Sequence, residues 1–184
     1  MAIEHLLNLV SPPESPVGLG SAALWNELES QTGLCFPKDY MDYIDHYGSG
    51  GWCDELGIES PFFDSHALLQ QHEQHREHYL RMQSASCLTR MPFPLFPEHN
   101  GLLLLGGDCD ANSLYWYCCG PADVWPLILY DREFWHFEKF EMPLTDWLVL
   151  WLTGILRSEL FIPVSMCAAG PIFRPSRIPR ATTE

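Results

Sequence analysis

The stretch His72-Glu73-Gln74-His75-Arg76-Glu77-His78, with His66 upstream, is the most metal-like part of the chain. A helical zinc site needs two histidines four apart around a glutamate. Here the spacings are three and three, so a rotation of about 240° from His72 to His78 leaves them on faces about 120° apart, and they cannot share one ion. The expectation is a solvated helix face and no metal. Asp108-Cys109-Asp110-Ala111-Asn112 starts like a calcium loop, with oxygens at positions 1, 3 and 5. Position 6 is Ser113 where the loop needs Gly, and position 12 is Cys119 where it needs a bidentate Glu. A hairpin turn is expected, since Asp and Asn hydrogen-bond their own backbone and tolerate left-handed conformations. Nucleophilic catalysis needs a Cys or Ser beside a base; no Ser sits in a G-x-S-x-G elbow, and Cys118-Cys119 closes an aromatic strand where a buried, inert thiol is expected. Gly48-Ser49-Gly50-Gly51 lacks the Lys and following helix of a phosphate cradle. No catalytic residue, metal or cofactor is therefore expected.

The elements that position these residues belong to a chain of 184 residues, 47% apolar and 18% charged, with 7 Trp, 7 Tyr and 10 Phe. That composition excludes a disordered or fibrous protein and is enough for one core. A net charge of −14 repels phosphate backbones and anionic membranes, so neither nucleic acid nor membrane is an expected partner. The first ten residues contain Glu4 and no Lys or Arg, unlike a signal peptide, and the apolar segment 144–156 is too short and too interrupted to span a bilayer. Seven scattered cysteines, an odd number, fit a reducing cytoplasm.

Residues 1–19 read as an apolar arm and a Pro-rich linker, whose exposed apolar surface leaves open a monomer or a homodimer. The domain proper is expected over 20–169. It opens with a helix capped by Ser21 and stopped by Gly33, then a second helix from Pro37 with Tyr40, Met41, Ile44 and Tyr47 on one face and Asp39, Asp42 and Asp45 elsewhere. An extended segment over 52–63 leads to a polar helix from Ser65 to about Gln83, then a Pro-rich stretch. Four short apolar runs starting at Leu102, Leu114, Pro126 and Phe134 predict an antiparallel meander. A last helix from Pro143 carries Leu144, Trp147, Leu148, Trp151, Leu152 and Ile155 at core spacing. The class is α+β, an antiparallel sheet of about four to six strands with helices packed against it. Trp25, Tyr40, Trp116, Trp147 and Trp151 are expected in the core. The tail, 170–184, sets three arginines against one glutamate and repeats Pro171, Pro175 and Pro179, a pattern for an extended path folding back on the acidic body with Phe173 as its anchor.

Taken in order, the motifs resemble the SMI1/KNR4, or SUKH, superfamily. They are Trp25 and Leu28-Glu29, then Gly33-Leu34-Cys35-Phe36-Pro37-Lys38-Asp39-Tyr40, Tyr47-Gly48-Ser49-Gly50, Pro94-Leu95-Phe96-Pro97-Glu98, Gly101-Leu102-Leu103, Gly107-Asp108 through Trp116, Trp125-Pro126, and Phe140 with 144–154. The resemblance spans about residues 20–163. It departs at Asn112-Ser113, where the family often has Gly after the Asn. It implies a non-enzymatic cytoplasmic immunity protein that binds and neutralises a cognate toxin, a nuclease or deaminase domain, with a regulatory or scaffolding interaction module as the alternative. An acidic face would compete for the basic substrate cleft of such a toxin. The candidate contacts are Trp52, Asp54, Glu55, Glu59, Asp108, Asp110 and Asp123.

Overall fold

The computed structural model describes residues 2–63, 67–84, 91–131, 136–160 and 170–177. Helix α1 (Ala2–Leu9) is followed by α2 (Ala22–Thr32) and α3 (Lys38–Tyr47). A short hairpin, β1 (Gly50–Trp52) and β2 (Leu56–Ile58), leads to α4 (Leu68–Ser84). Strands β3 (Leu102–Asp108), β4 (Ser113–Tyr117), β5 (Leu127–Tyr130) and β6 (Phe137–Phe140) precede α5 (Leu144–Leu152), and β7 (Phe173–Pro175) closes the described chain. The class is α+β. Every strand pair is antiparallel and the order is β6-β5-β4-β3-β2-β1-β7. Among the described residues the sheet has seven strands, one above the expected range, because the tail contributes one.

Strand alternation divides the sheet into two faces. Leu103, Leu105, Leu114, Trp116, Leu127 and Leu129 point to one core, shared with Leu6 of α1, Trp25 of α2, Tyr40, Tyr43, Ile44 and Tyr47 of α3, and Trp147, Leu148 and Trp151 of α5. Leu102, Tyr115, Ile128 and Tyr130 point the other way, onto Tyr79 of α4 with Met91 and Leu95. A register shift between Leu104 and Gly106 lets β3 turn between its two partners. Trp25, Tyr40, Trp116, Trp147 and Trp151 are all buried, as their spacing requires.

Local signals set the helix ends. The Ser21 side chain accepts from the backbone N–H of Leu24, and Gly33 takes the left-handed conformation (φ 68°) that stops α2. Helices α3 and α5 both start after a proline, which offers no capping side chain, and both borrow a carboxylate from elsewhere. Asp123 accepts from Lys38 N at 2.7 Å, and Asp39 accepts from Thr145 N at 3.0 Å. Asp45 accepts from the Trp25 indole at 2.9 Å. Two of the three α3 acids thus join helices together.

Several expectations change. Residues 2–9 form a helix whose Leu6 is fully buried and which packs on α5 and α3, so its apolar face is used within the chain. Ile155 is 67% exposed, because α5 stops at Leu152 and Gly154 (φ 72°) turns the chain away. The fourth strand of the meander starts at Phe137, later than the apolar run suggests. Phe134, Trp135, the cap Ser65, His66, Cys87, Cys167 and the tail beyond Arg177 lie outside the described residues.

Candidate functional site

One row of paired residues crosses the sheet on the α4 side: Arg174 opposite Gly51, Gly51 opposite Gly57, Gly57 opposite Gly107, and Gly107 opposite Ser113. Three adjacent strands therefore present no side chain there. Helix α4 packs on β3 and the tyrosines of β4 and β5, leaving the glycine half bare. The result is a cleft of about 470 Å³, floored by Gly57 and Gly107 and walled by Gln71, His75 and His78 of α4, by Glu59, and by Asp108, Asn112 and Ser113 of the β3–β4 hairpin. Gly107 is required by the fold, since a Cβ there would sit 2.7 Å from the Asn112 carbonyl. Gly57 is not, because its Cβ would meet nothing closer than 3.6 Å. A second cavity, about 510 Å³, is more apolar and lies between the end of α4 and the 91–98 loop, around Leu80, Met91 and Phe93.

The acids at the cleft mouth are placed by two turns. Cys53 and Asp54 take left-handed conformations (φ 57° and 59°) in the β1–β2 turn, as Ala111 does (φ 68°) in the β3–β4 turn. The second turn is organised by Asp108, whose carboxylate accepts from Asp110 N (3.0 Å), Asn112 N (2.8 Å) and Asn112 Nδ2 (2.7 Å). This is the expected hairpin turn, and it consumes the oxygens that a cation would need. The two turns are tied together: Cys109 N donates to the Glu55 carbonyl at 2.9 Å, and its thiol to the Glu55 carboxylate at 2.9 Å. That thiol is pushed up to about 11 by its hydrogen bond to Glu55, by desolvation, and by the negative charges of Glu55, Asp110 and Asp108.

His72 and His75 of α4 turn inward, a correction to the solvated face expected from the sequence, while His78 stays exposed. His72 is 2% exposed. Its Nδ1 accepts from Leu104 N at 3.2 Å, which leaves Nε2–H to donate to the Phe96 carbonyl at 2.9 Å and fixes one neutral tautomer. Burial lowers its pKa. His75 shares a 2.6 Å hydrogen bond with the Tyr115 hydroxyl, and burial, aided by His72 and His78, brings it down to about 4. Both rings are neutral at pH 7. They do not offset the carboxylates.

Of the seven candidate contacts, Glu55, Asp108 and Asp110 gather around Cys109; Asp108 and Glu59 line the cleft itself, and Glu59 accepts from the Ser49 hydroxyl at 2.7 Å. Asp54 turns to the tail, where its carboxylate meets Arg174 at 2.9 Å. Asp123 is elsewhere, in the helix layer as the cap of α3. Trp52 is not a surface contact: it is fully buried, and its indole donates to the Tyr43 hydroxyl at 3.1 Å. Trp52 alternates with Gly51 on β1, and the helix-side core claims the larger residue. Sequence reasoning missed His75, Gln71, Tyr115 and the glycine floor. The signal for the first was present, since Leu68, His72, His75 and Tyr79 are spaced as one helical stripe.

Among the described residues no three His, Cys, Asp or Glu side chains converge as metal ligands, and no helix is long and apolar enough to cross a membrane. Burial pushes the Cys118 thiol up to about 12, and hydrogen bonding to Glu29 raises that of Cys35. A nucleophilic thiol needs the opposite shift. The class that fold and site define is an α+β protein with an acidic, glycine-floored cleft at one end of its sheet. No protein-family model, curated protein or solved structure matches the chain.

Proposed function

We propose that the chain is a non-enzymatic, cytoplasmic immunity protein of the SMI1/KNR4 (SUKH) type, which binds a basic cognate toxin through the acidic cleft and blocks it stoichiometrically. The observation that carries this reading is uncompensated charge. Among the described residues no Lys or Arg pairs with Glu55, Glu59, Asp108 or Asp110, while His75 on the cleft wall, its pKa lowered by burial, is neutral. Like charges held together this way cost the isolated protein stability, and a cationic partner relieves them. The bare floor at Gly57 leaves room for a long basic side chain between the α4 wall and the hairpin. The raised thiols favour binding over catalysis.

The test starts from the gene next to this reading frame. A secreted protein with a variable basic C-terminal domain encoded there supplies the partner. The triple variant Glu55→Lys, Glu59→Lys, Asp110→Lys, which spares the turn-forming Asp108, is expected to slow association at least about tenfold and flatten its salt dependence. Unchanged association and salt slope would remove the cleft from consideration. Several partners bound at about micromolar strength, with no toxin among them, would favour a scaffolding module instead.

A further inference from the structure

Strand β7 reaches the sheet from the tail and lies on the outer edge of β1, with Phe173 opposite Trp52, Arg174 opposite Gly51 and Pro175 opposite Gly50. Beyond the ladder, Cys53 N donates to the Ile172 carbonyl at 2.8 Å and Ser176 N to the Ser49 carbonyl at 2.9 Å. The Phe173 ring enters a pocket between Trp52 (4.9 Å between centroids) and Tyr47 (5.3 Å). Next to it the Arg174 guanidinium meets Asp54. Gly50 makes the approach possible: a Cβ there would lie 2.4 Å from both the Arg174 carbonyl and the Phe173 ring.

None of these recognition elements is specific to a segment covalently attached to the chain. A backbone edge accepts any extended strand, the pocket any aromatic ring, and Asp54 any cation one residue further on. A proline is tolerated because the strand is terminal in the sheet. The hold is also modest. It comprises one ring, a three-residue ladder with one backbone hydrogen bond on either side, a hydroxyl contact between Ser49 and Ser176 at 3.2 Å, and an ion pair whose side chains are 60% and 68% exposed and therefore well screened. We propose that the outer edge of β1 is a strand-docking site, filled in the free protein by residues 172–176 and open by exchange to an extended aromatic-basic segment of a partner protein. The occupant seen in place defines that chemistry: an aromatic residue followed by Arg or Lys. The site lies at the sheet edge, apart from the acidic cleft, and stands whether or not the cleft binds a toxin.

The probe is a fluorescein-labelled peptide of the tail sequence, Gly-Pro-Ile-Phe-Arg-Pro-Ser-Arg, followed by anisotropy on the full chain. In the wild type the attached tail competes at millimolar effective concentration, so Phe173→Ala in the protein is expected to tighten peptide binding by about tenfold or more. Replacing Phe by Ala in the peptide, or adding Gly50→Ala to the protein, abolishes the gain. Should Phe173→Ala melt without cooperativity, the double variant Arg174→Glu, Ser176→Pro loosens the tail without touching the core and is expected to gain about fivefold. No gain in a cooperatively melting variant overturns the proposal. So does a concentration-dependent dimer abolished by Phe173→Ala, which would assign the edge to a second copy of the chain.

Discussion

The two faces of the sheet are built by different means. Toward α1, α2, α3 and α5 the sheet offers Leu and Trp to a continuous apolar core, with polar groups entering where an indole, a tyrosine or the start of α5 finds a partner. Toward α4 it offers tyrosines at one end and glycines at the other, and the covering helix contributes two histidines to its inward stripe. The first face is held by area removed from water, which is indifferent to pH. The second is held partly by directional hydrogen bonds to neutral imidazoles, which proton uptake breaks. A face that is incompletely covered and polar has room for something else, and the acids of the cleft lie there.

The largest effect is expected on the apolar face. Trp151→Ala should cost about 3–5 kcal/mol in urea unfolding, and a loss below about 1 kcal/mol would break the contrast between the faces. Acid should act on the other face. The folded-state pKa of His75 lies near 4 against an ordinary 6.5, so its contribution is complete above pH 6.5 and is lost as pH falls toward 4, a loss on the order of 3 kcal/mol. His72 shifts in the same direction. His75→Gln should flatten the stability profile between pH 7 and 4, and an unaltered slope would show that other groups carry it.

Smaller effects sharpen the same contrast. His72→Leu keeps the volume but strands Leu104 N–H and the Phe96 carbonyl, and should cost about 2 kcal/mol, a penalty that an apolar stripe position would not show. Asp39→Ala removes the borrowed cap of α5 and should cost about 1 kcal/mol by the same measurement. Gly57→Val is expected to leave stability within about 0.5 kcal/mol, because a β-branched residue suits a strand and its Cβ meets no close neighbour. It fills the cleft, so affinity for the basic partner should fall at least about tenfold while thermal unfolding stays put.

Much of the architecture was legible in the residues. Ser21 and Gly33 bound α2, the period-two runs after Leu102 are strands, and the i, i+3, i+4 spacing of Leu144, Trp147 and Leu148 buries α5. Phe173 anchors a tail that folds back, as its charge suggested, although the path is a paired strand and not a polyproline helix. The site was legible only in part. Glu55, Asp108 and Asp110 meet because two turns adjoin, whereas Asp123, alike in charge, is drawn to an uncapped helix start on the other side of the molecule.

The sequence by itself determined element types, turn positions and the sign of the surface, since these depend on local sterics, short-range spacing and a sum of charges. Tertiary structure alone decided which face of each element is covered, and with it the fates of Trp52, His72 and Gly57. A residue's partners across a sheet are set by register, and register is a relation between distant segments that no local pattern encodes.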